Sequence, residues 1–335
     1  MKRRFLLKAG LVTGSAATLG LAAGMTSLAQ QPRRLTQSRQ PRAKGSFWPD
    51  GVRLPISFSM MFETGGEPQR NPPTPFGYFT PPPEYPDLPT LTWYRYGSTE
   101  GIPRFLELLE RKGVKITSHM TGTAVQRYPQ LAKEVVQRGH EAAAHGMSWN
   151  TQYNLSRDQE YQFIAENVKI IQQVTGARAV GYNAPGLRGT VNTLEILQEL
   201  GFLYHIDDVS RDEPFTVEIK GKPFVIVPYA VYLNDIRAYE SRNFSTQNFL
   251  QDLKNSFDYL YEEAATRRRM LPVTVHDRLL RPERVKMLEE FITYAQSKPG
   301  VKFLRKNEIA RWALESNITI REQAADVYPG VKLDA

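Results

Sequence analysis

The 335-residue chain contains no cysteine, which excludes disulfides, thiolate nucleophiles and cysteine-based zinc sites. Histidine is scarce, five in all, so any imidazole chemistry can be traced residue by residue. Acidic residues are missing altogether from positions 1–45, which hold nine Lys and Arg. That absence accounts for the formal charge of +8, because the remainder carries 34 basic and 35 acidic residues. A nucleic-acid partner needs a basic face on the folded body, and none is expected here. At 41% hydrophobic and 23% charged residues, the chain reads as globular, with length for one large domain or two ordinary ones.

The first segment, "MKRRFLLKAGLVTGSAATLGLAAGMTSLAQ", has a charged start and a weakly apolar stretch rich in Gly and Ala. It ends in Ser27-Leu28-Ala29, a small-x-small cleavage site. Arg3-Arg4-Phe5-Leu6-Leu7-Lys8 resembles a twin-arginine signal. Residues 1–29 therefore read as a signal peptide and 30–45 as a flexible linker. A folded domain follows over 46–320, with a tail over 321–335. An exported protein, periplasmic or extracellular, is expected, with no stable membrane insertion once the signal is cleaved. Nothing in the sequence fixes the oligomeric state.

From residue 46 onward, short apolar runs alternate with helical periodicity. Strands are predicted near 55–62, 114–120, 140–145, 179–184, 202–207, 223–230, 271–276 and 301–305. Helices are predicted near 100–112, 129–138, 156–175, 191–200, 246–266, 282–297 and 307–315. Ser156 with Gln159 has the spacing of a capping box. Alternating strands and helices imply parallel βαβ units, and seven or eight of them imply an α/β fold of the (β/α) barrel kind. Residues 64–97, dense in Pro, Gly and aromatics, read as a long loop over the barrel's C-terminal face, an ordered lid or rim.

Polar residues stand where the apolar runs end. The first run ends in Glu63; His119 lies near the end of the second, and His145 ends the third. The fourth reaches Asn183, the fifth Asp207 and Asp208, and the seventh His276. In a (β/α) barrel these ends converge on the active site, where such groups can carry out hydrolytic acid/base chemistry. His140, at the start of its strand, reads as structural.

The stretches "WPDGVRLPISFSMMFETGGE", "RGHEAAAHGMSW", "VPYAVYLNDIRAY" and "VHDRLLRPERVKMLEEFITYAQ", taken in order, resemble the polysaccharide deacetylase superfamily, whose domain is named for the NodB chitooligosaccharide deacetylase. The most similar-looking branch is that of allantoinases and cyclic-imide hydrolases. The resemblance implies an irregular (β/α) barrel of about seven units. It also implies a pair of acids after the first strand, two metal-binding His four residues apart, an Arg-x-Pro segment orienting the base, and a late His as general acid.

Against that pattern, Glu63 stands in place of the first acid and Thr64 in place of the metal-binding one. His145 matches the first metal His, but Trp149 stands where the second should be. Asn183 replaces the Arg, and Pro185 is kept. No cofactor is therefore expected; a divalent metal such as Zn, if one binds, would use Glu63, His145 and His276 at a non-standard site. The resemblance implies a hydrolase of non-peptide carbon–nitrogen bonds, and the N-terminal signal an exported one. N-deacetylation of a cell-envelope or extracellular glycan stands first, and a metal-independent allantoinase or cyclic-imide amidohydrolase second. A non-catalytic, carbohydrate-binding form is the reading from another class.

In the catalytic readings Glu63 activates water, with its pKa raised in a closed apolar site. His276 protonates the leaving nitrogen or steadies the oxyanion, and His145 and Asn183 position the carbonyl. Trp149, Asp207, Asn234 and Asp235 are candidates for binding the glycan or small amide or imide substrate; Asp207, Asp208, Asn234 and Asp235 read equally well as loop-capping groups.

Overall fold

The computed structural model describes residues 47–68, 72–77, 81, 82 and 84–331. The signal-peptide and linker readings lie outside the described residues. The strands are β1 (Leu54–Phe62), β2 (Thr117–Met120), β3 (Glu141–Ala144), β4 (Gly181–Tyr182), β5 (Tyr204–His205), β6 (Phe215–Ile219), β7 (Lys222–Ile226), β8 (Leu271–His276), β9 (Val301–Phe303) and β10 (Ile320–Gln323). Seven of them run parallel in the order β8-β1-β2-β3-β4-β5-β7. The chain leaving β7 returns to β8 through one parallel bridge, Asn234 to Thr274. The α/β fold is thus an irregular (β/α) barrel whose seam is joined at a single pair rather than by a ladder.

Alternation along β1 shows how the barrel is filled. Ile56, Phe58, Met60 and Phe62 join the large apolar core together with helix residues such as Phe105, Leu109 and Phe291. Phe58 packs against Phe105, Phe291 and Phe303 with ring centroids 5.9–6.4 Å apart. The other face carries Ser57, Ser59, Met61 and then Glu63. Met61 belongs to a second apolar cluster with Tyr204, Ile206, Val227 and Tyr229, which fills the barrel interior. The period-2 pattern therefore delivers Glu63 to the inside of the barrel at its C-terminal end.

The helices follow the predicted spans closely, from Ile102–Lys112 to Lys306–Glu315. The capping box forms as expected: Ser156 accepts from the Gln159 backbone, and the Gln159 side chain accepts from the Ser156 N–H. Two features differ from the sequence reading. Residues 64–97 are not loop throughout, because Leu88–Tyr96 is helical, started by Asp87, whose carboxylate accepts from Thr90 N–H. Gly97 and Gly101 then let this helix lie directly on the barrel. A Cβ at Gly97 would meet Asp277 Cγ at 2.8 Å, and one at Gly101 would meet the Asp277 carbonyl at 2.1 Å. Finally, ordered structure continues past residue 320, since β10 pairs with β6, which is itself antiparallel to β7.

Candidate functional site

Three side chains from distant parts of the chain converge at the C-terminal strand ends. Glu63 follows β1, His145 follows β3 and His276 ends β8; all three are almost fully buried. Glu63 Oε1 lies 3.2 Å from His145 Nε2 and 3.9 Å from His276 Nε2. The other carboxylate oxygen, Oε2, accepts a 2.5 Å hydrogen bond from Arg278 Nη1.

The hydrogen bonds fix where protons sit. His145 Nδ1 faces the Asn183 carbonyl at 2.7 Å, so Nδ1 carries the hydrogen. Nε2 then meets a carboxylate oxygen, which can only accept, so the contact is attractive only when Nε2 is protonated as well. His145 Nε2 and Glu63 Oε1 thus face each other as a donor–acceptor pair across 3.2 Å. His276 is held by Asp235, whose Oδ1 accepts from Nδ1 at 2.6 Å and whose Oδ2 accepts from the His276 backbone N–H at 2.8 Å. This leaves His276 Nε2 free to take or give a proton at the face of Glu63.

Arg278 is the residue that sequence reasoning missed. It is 1% exposed, and its guanidinium lies 5.0–5.4 Å from the rings of Trp93, Tyr94 and Trp149. Its effect on Glu63 overturns the expected pKa. Burial does push that carboxyl upward, but Arg278 first, then His276 and His145, outweigh it and hold Glu63 well below the usual carboxylate range. Glu63 is thus an ionised anchor and a weak base. Asp277 supports the same turn: its carboxylate accepts from the backbone N–H groups of Glu63 and Thr64, both at 2.8 Å, and of Arg278 at 2.6 Å. Burial, with Glu63 nearby, raises Asp277 to about 6 against the lowering effect of Arg278.

The remaining candidates divide. Asp235 is in the site, bound to His276. Asn234 lies beside it and donates to Tyr229 Oη at 2.5 Å. Trp149 covers the guanidinium. The Asn183 backbone carbonyl orients His145, but its side-chain amide donates to Asp207 Oδ1 at 2.6 Å. Asp207 also accepts from the Ala184 N–H, and Asp208 accepts from Ser210 and Tyr328. Both acids thus accept from neighbouring donors, as loop-capping groups do. His119 lies fully buried inside the barrel, held well below its ordinary pKa by burial and by Lys306. His140 accepts from Ile116 N–H at 3.2 Å, a structural role at the strand start.

Of the three usual family metal-ligand places His145 keeps one, and the other two hold other groups. The Thr64 hydroxyl donates to the Tyr94 carbonyl at 2.7 Å, Trp149 is an indole, and Glu63 is bound by a guanidinium. Among the described residues no group of three or more His, Asp or Glu is arranged to hold a metal ion. Beside the site, a cleft of about 1430 Å³ is lined by residues including Gly65, Glu67, Tyr94, Arg127, Ser148 and Asn150.

Comparisons with known proteins agree with the fold. Residues 90–205 match the family described as Polysaccharide deacetylase. A probable polysaccharide deacetylase from Pseudomonas aeruginosa PAO1 is 31% identical and superposes with a TM-score of 0.74, over 86% of this chain and 99% of that one. The structure of an allantoinase, Puue, is 28% identical with a TM-score of 0.74, over 86% of this chain and 98% of that one. A peptidoglycan deacetylase from Helicobacter pylori is 27% identical over 250 residues, 65% of this chain and 85% of that protein. The chain belongs to the polysaccharide deacetylase family. It is a hydrolase of the class that acts on carbon–nitrogen bonds other than peptide bonds.

Proposed function

We propose that the protein is an exported enzyme that removes N-acetyl groups from a cell-envelope or extracellular glycan without a metal ion. The observation that carries the glycan reading is the cleft. At about 1430 Å³ it exceeds the roughly 300–1,000 Å³ of small-molecule pockets, and it adjoins the site through Gly65 and Tyr94. In the reaction, water bound at the face of Glu63 gives a proton to His276 Nε2 as its oxygen attacks the acyl carbon. The same imidazole returns that proton to the leaving nitrogen as the C–N bond breaks, yielding a carboxylic acid and an amine. Asp235 holds the imidazole in the required tautomer, and Glu63 orients the water and balances the surrounding cations.

A second reading is hydrolysis of a small cyclic amide or imide. It is favoured by the burial of the reacting groups, with His276 the most exposed of the three at 5%. The test uses the full chain stripped with a chelator and assayed on N-acetylated peptidoglycan, chitooligosaccharides, allantoin and cyclic imides. Acetate release from a glycan is the expected result. Activity on the ring amides alone selects the second reading, and activity that vanishes on chelation and returns with Zn²⁺ overturns the metal-free one. A wild type that binds glycan but hydrolyses none of these leaves the binding-module reading.

Export is supported by Arg3-Arg4 ahead of the apolar stretch. Arg3→Lys with Arg4→Lys is expected to reduce the exported fraction at least about tenfold and leave the precursor inside the cell, as read by fractionation and blotting. An unchanged distribution would remove the twin-arginine route.

A further inference from the structure

We propose that Arg278 is the resident cation of this site, binding and polarising the acyl oxygen in the role for which the family's usual site uses a metal ion. The inference rests on the amide-hydrolysis reading above. Two independent observations carry it. The guanidinium is buried against Glu63 Oε2, at the acid that stands where the family's acid pair begins, so a fixed positive charge already lies there. Its Nε–H is buried and has no acceptor among the described residues. A buried donor without a partner is costly, and a substrate carbonyl oxygen is an acceptor of the kind it lacks.

The surroundings suit that task. Trp93, Tyr94 and Trp149 surround the guanidinium with their rings, and Asp277 accepts from the Arg278 backbone N–H. Trp149, in place of a metal-binding imidazole, thus packs against the replacement cation. As water attacks, the carbonyl π electrons move onto oxygen, and the guanidinium N–H stabilises that oxyanion. When the C–N bond breaks the electrons return, and Arg278 neither gains nor loses a proton. A guanidinium suits this role better than an ammonium because it cannot be deprotonated and its donors are rigidly placed.

Arg278→Lys keeps the charge but not the Nε donor. It is expected to lower kcat about 100-fold while KM stays within about threefold. Arg278→Ala is expected to be inactive and partly rescued by guanidinium ion but not by ammonium. Because loss of the guanidinium leaves Glu63 buried and unpaired, the alanine variant could fail to fold. The wild-type full chain titrated with Zn²⁺ by calorimetry supplies a readout independent of folding and of activity. No saturable binding that depends on His145 is expected. Micromolar Zn²⁺ binding by the wild type that is lost in His145→Ala would overturn the proposal, as would an Arg278→Lys enzyme with kcat within threefold of wild type. A wild type inactive on every amide tested defeats the functional reading, and the Zn²⁺ titration still decides the cation question.

Discussion

Replacing His276 with asparagine is expected to lower turnover about 1,000-fold, equivalent to about 4 kcal/mol of transition-state stabilisation. The size follows from the division of labour in the site. Glu63 is held ionised chiefly by the Arg278 guanidinium, so it has little appetite for the proton that water must lose. His276 Nε2 is the atom left to move it, since His145 Nε2 is occupied against Glu63 at 3.2 Å. The His276→Asn variant would retain the backbone N–H bond to Asp235 Oδ2, which does not involve the ring, so β8 should keep its register and the loss should appear in kcat rather than in folding. Asp235→Asn is the companion measurement. It removes the acceptor that fixes the His276 tautomer, and a loss of about 30- to 100-fold is expected. A His276→Asn enzyme within tenfold of wild type, at unchanged unfolding midpoint, would transfer the proton-moving role back to Glu63.

The parts of this site that could be read from the sequence share one physical origin. Glu63, His145 and His276 each terminate or follow an apolar run, and a parallel barrel collects such ends at one face. Arg278 shares that position in space but not that signal. It lies in "HDRLLRPER", a charged run that reads as the approach to a helix, and its partner Glu63 is 215 residues away. What a sequence could have offered is the Arg lost at Asn183: an acid that keeps its place without its orienting Arg calls for a cation from elsewhere. Asp207 stayed open between two readings, because a strand-end carboxylate looks the same in sequence whether it faces substrate or caps the turn at Ala184. In the fold, the strands β6 and β10 went unread. β6, "FTVEI", is a short run of five residues between turns, and β10, "IREQ", alternates on an edge where only one face is covered. The helix Leu88–Tyr96 was hidden by Pro89, which is tolerated there because it occupies the first turn.

Away from the site, the barrel interior holds a buried lysine whose removal should reshape stability against pH. Lys306 is 1% exposed, and its ammonium donates to Ser57 Oγ at 3.0 Å. Glu141, also buried, accepts from Thr117, Tyr204 and the Asn307 N–H, and His119 lies close enough to feel the lysine charge. Burial lowers the Lys306 pKa to about 7 from 10.5, against a smaller upward pull from Glu141. The native chain therefore releases this proton near pH 7, whereas the unfolded chain keeps it until about 10.5. Across that window the unfolded state binds more protons, so this group makes stability rise with pH, by at most about 1.4 kcal/mol per unit. Lys306→Met removes the titration and keeps the stem volume. Its unfolding free energy, measured in denaturant between pH 7.5 and 9.5, should rise less steeply than that of the wild type, by roughly 1 kcal/mol per pH unit. Other lysines and tyrosines titrate in both proteins and cancel in the difference. Glu141 retains its three hydrogen bonds in the variant, and its own pKa, raised by burial, changes the vertical offset between the curves more than their slope above neutrality. Parallel curves would mean that Lys306 stays charged in the folded barrel. Ser57 and the Glu141 charge would then offset the cost of burying it, and the barrel interior would hold an ammonium rather than a neutral amine.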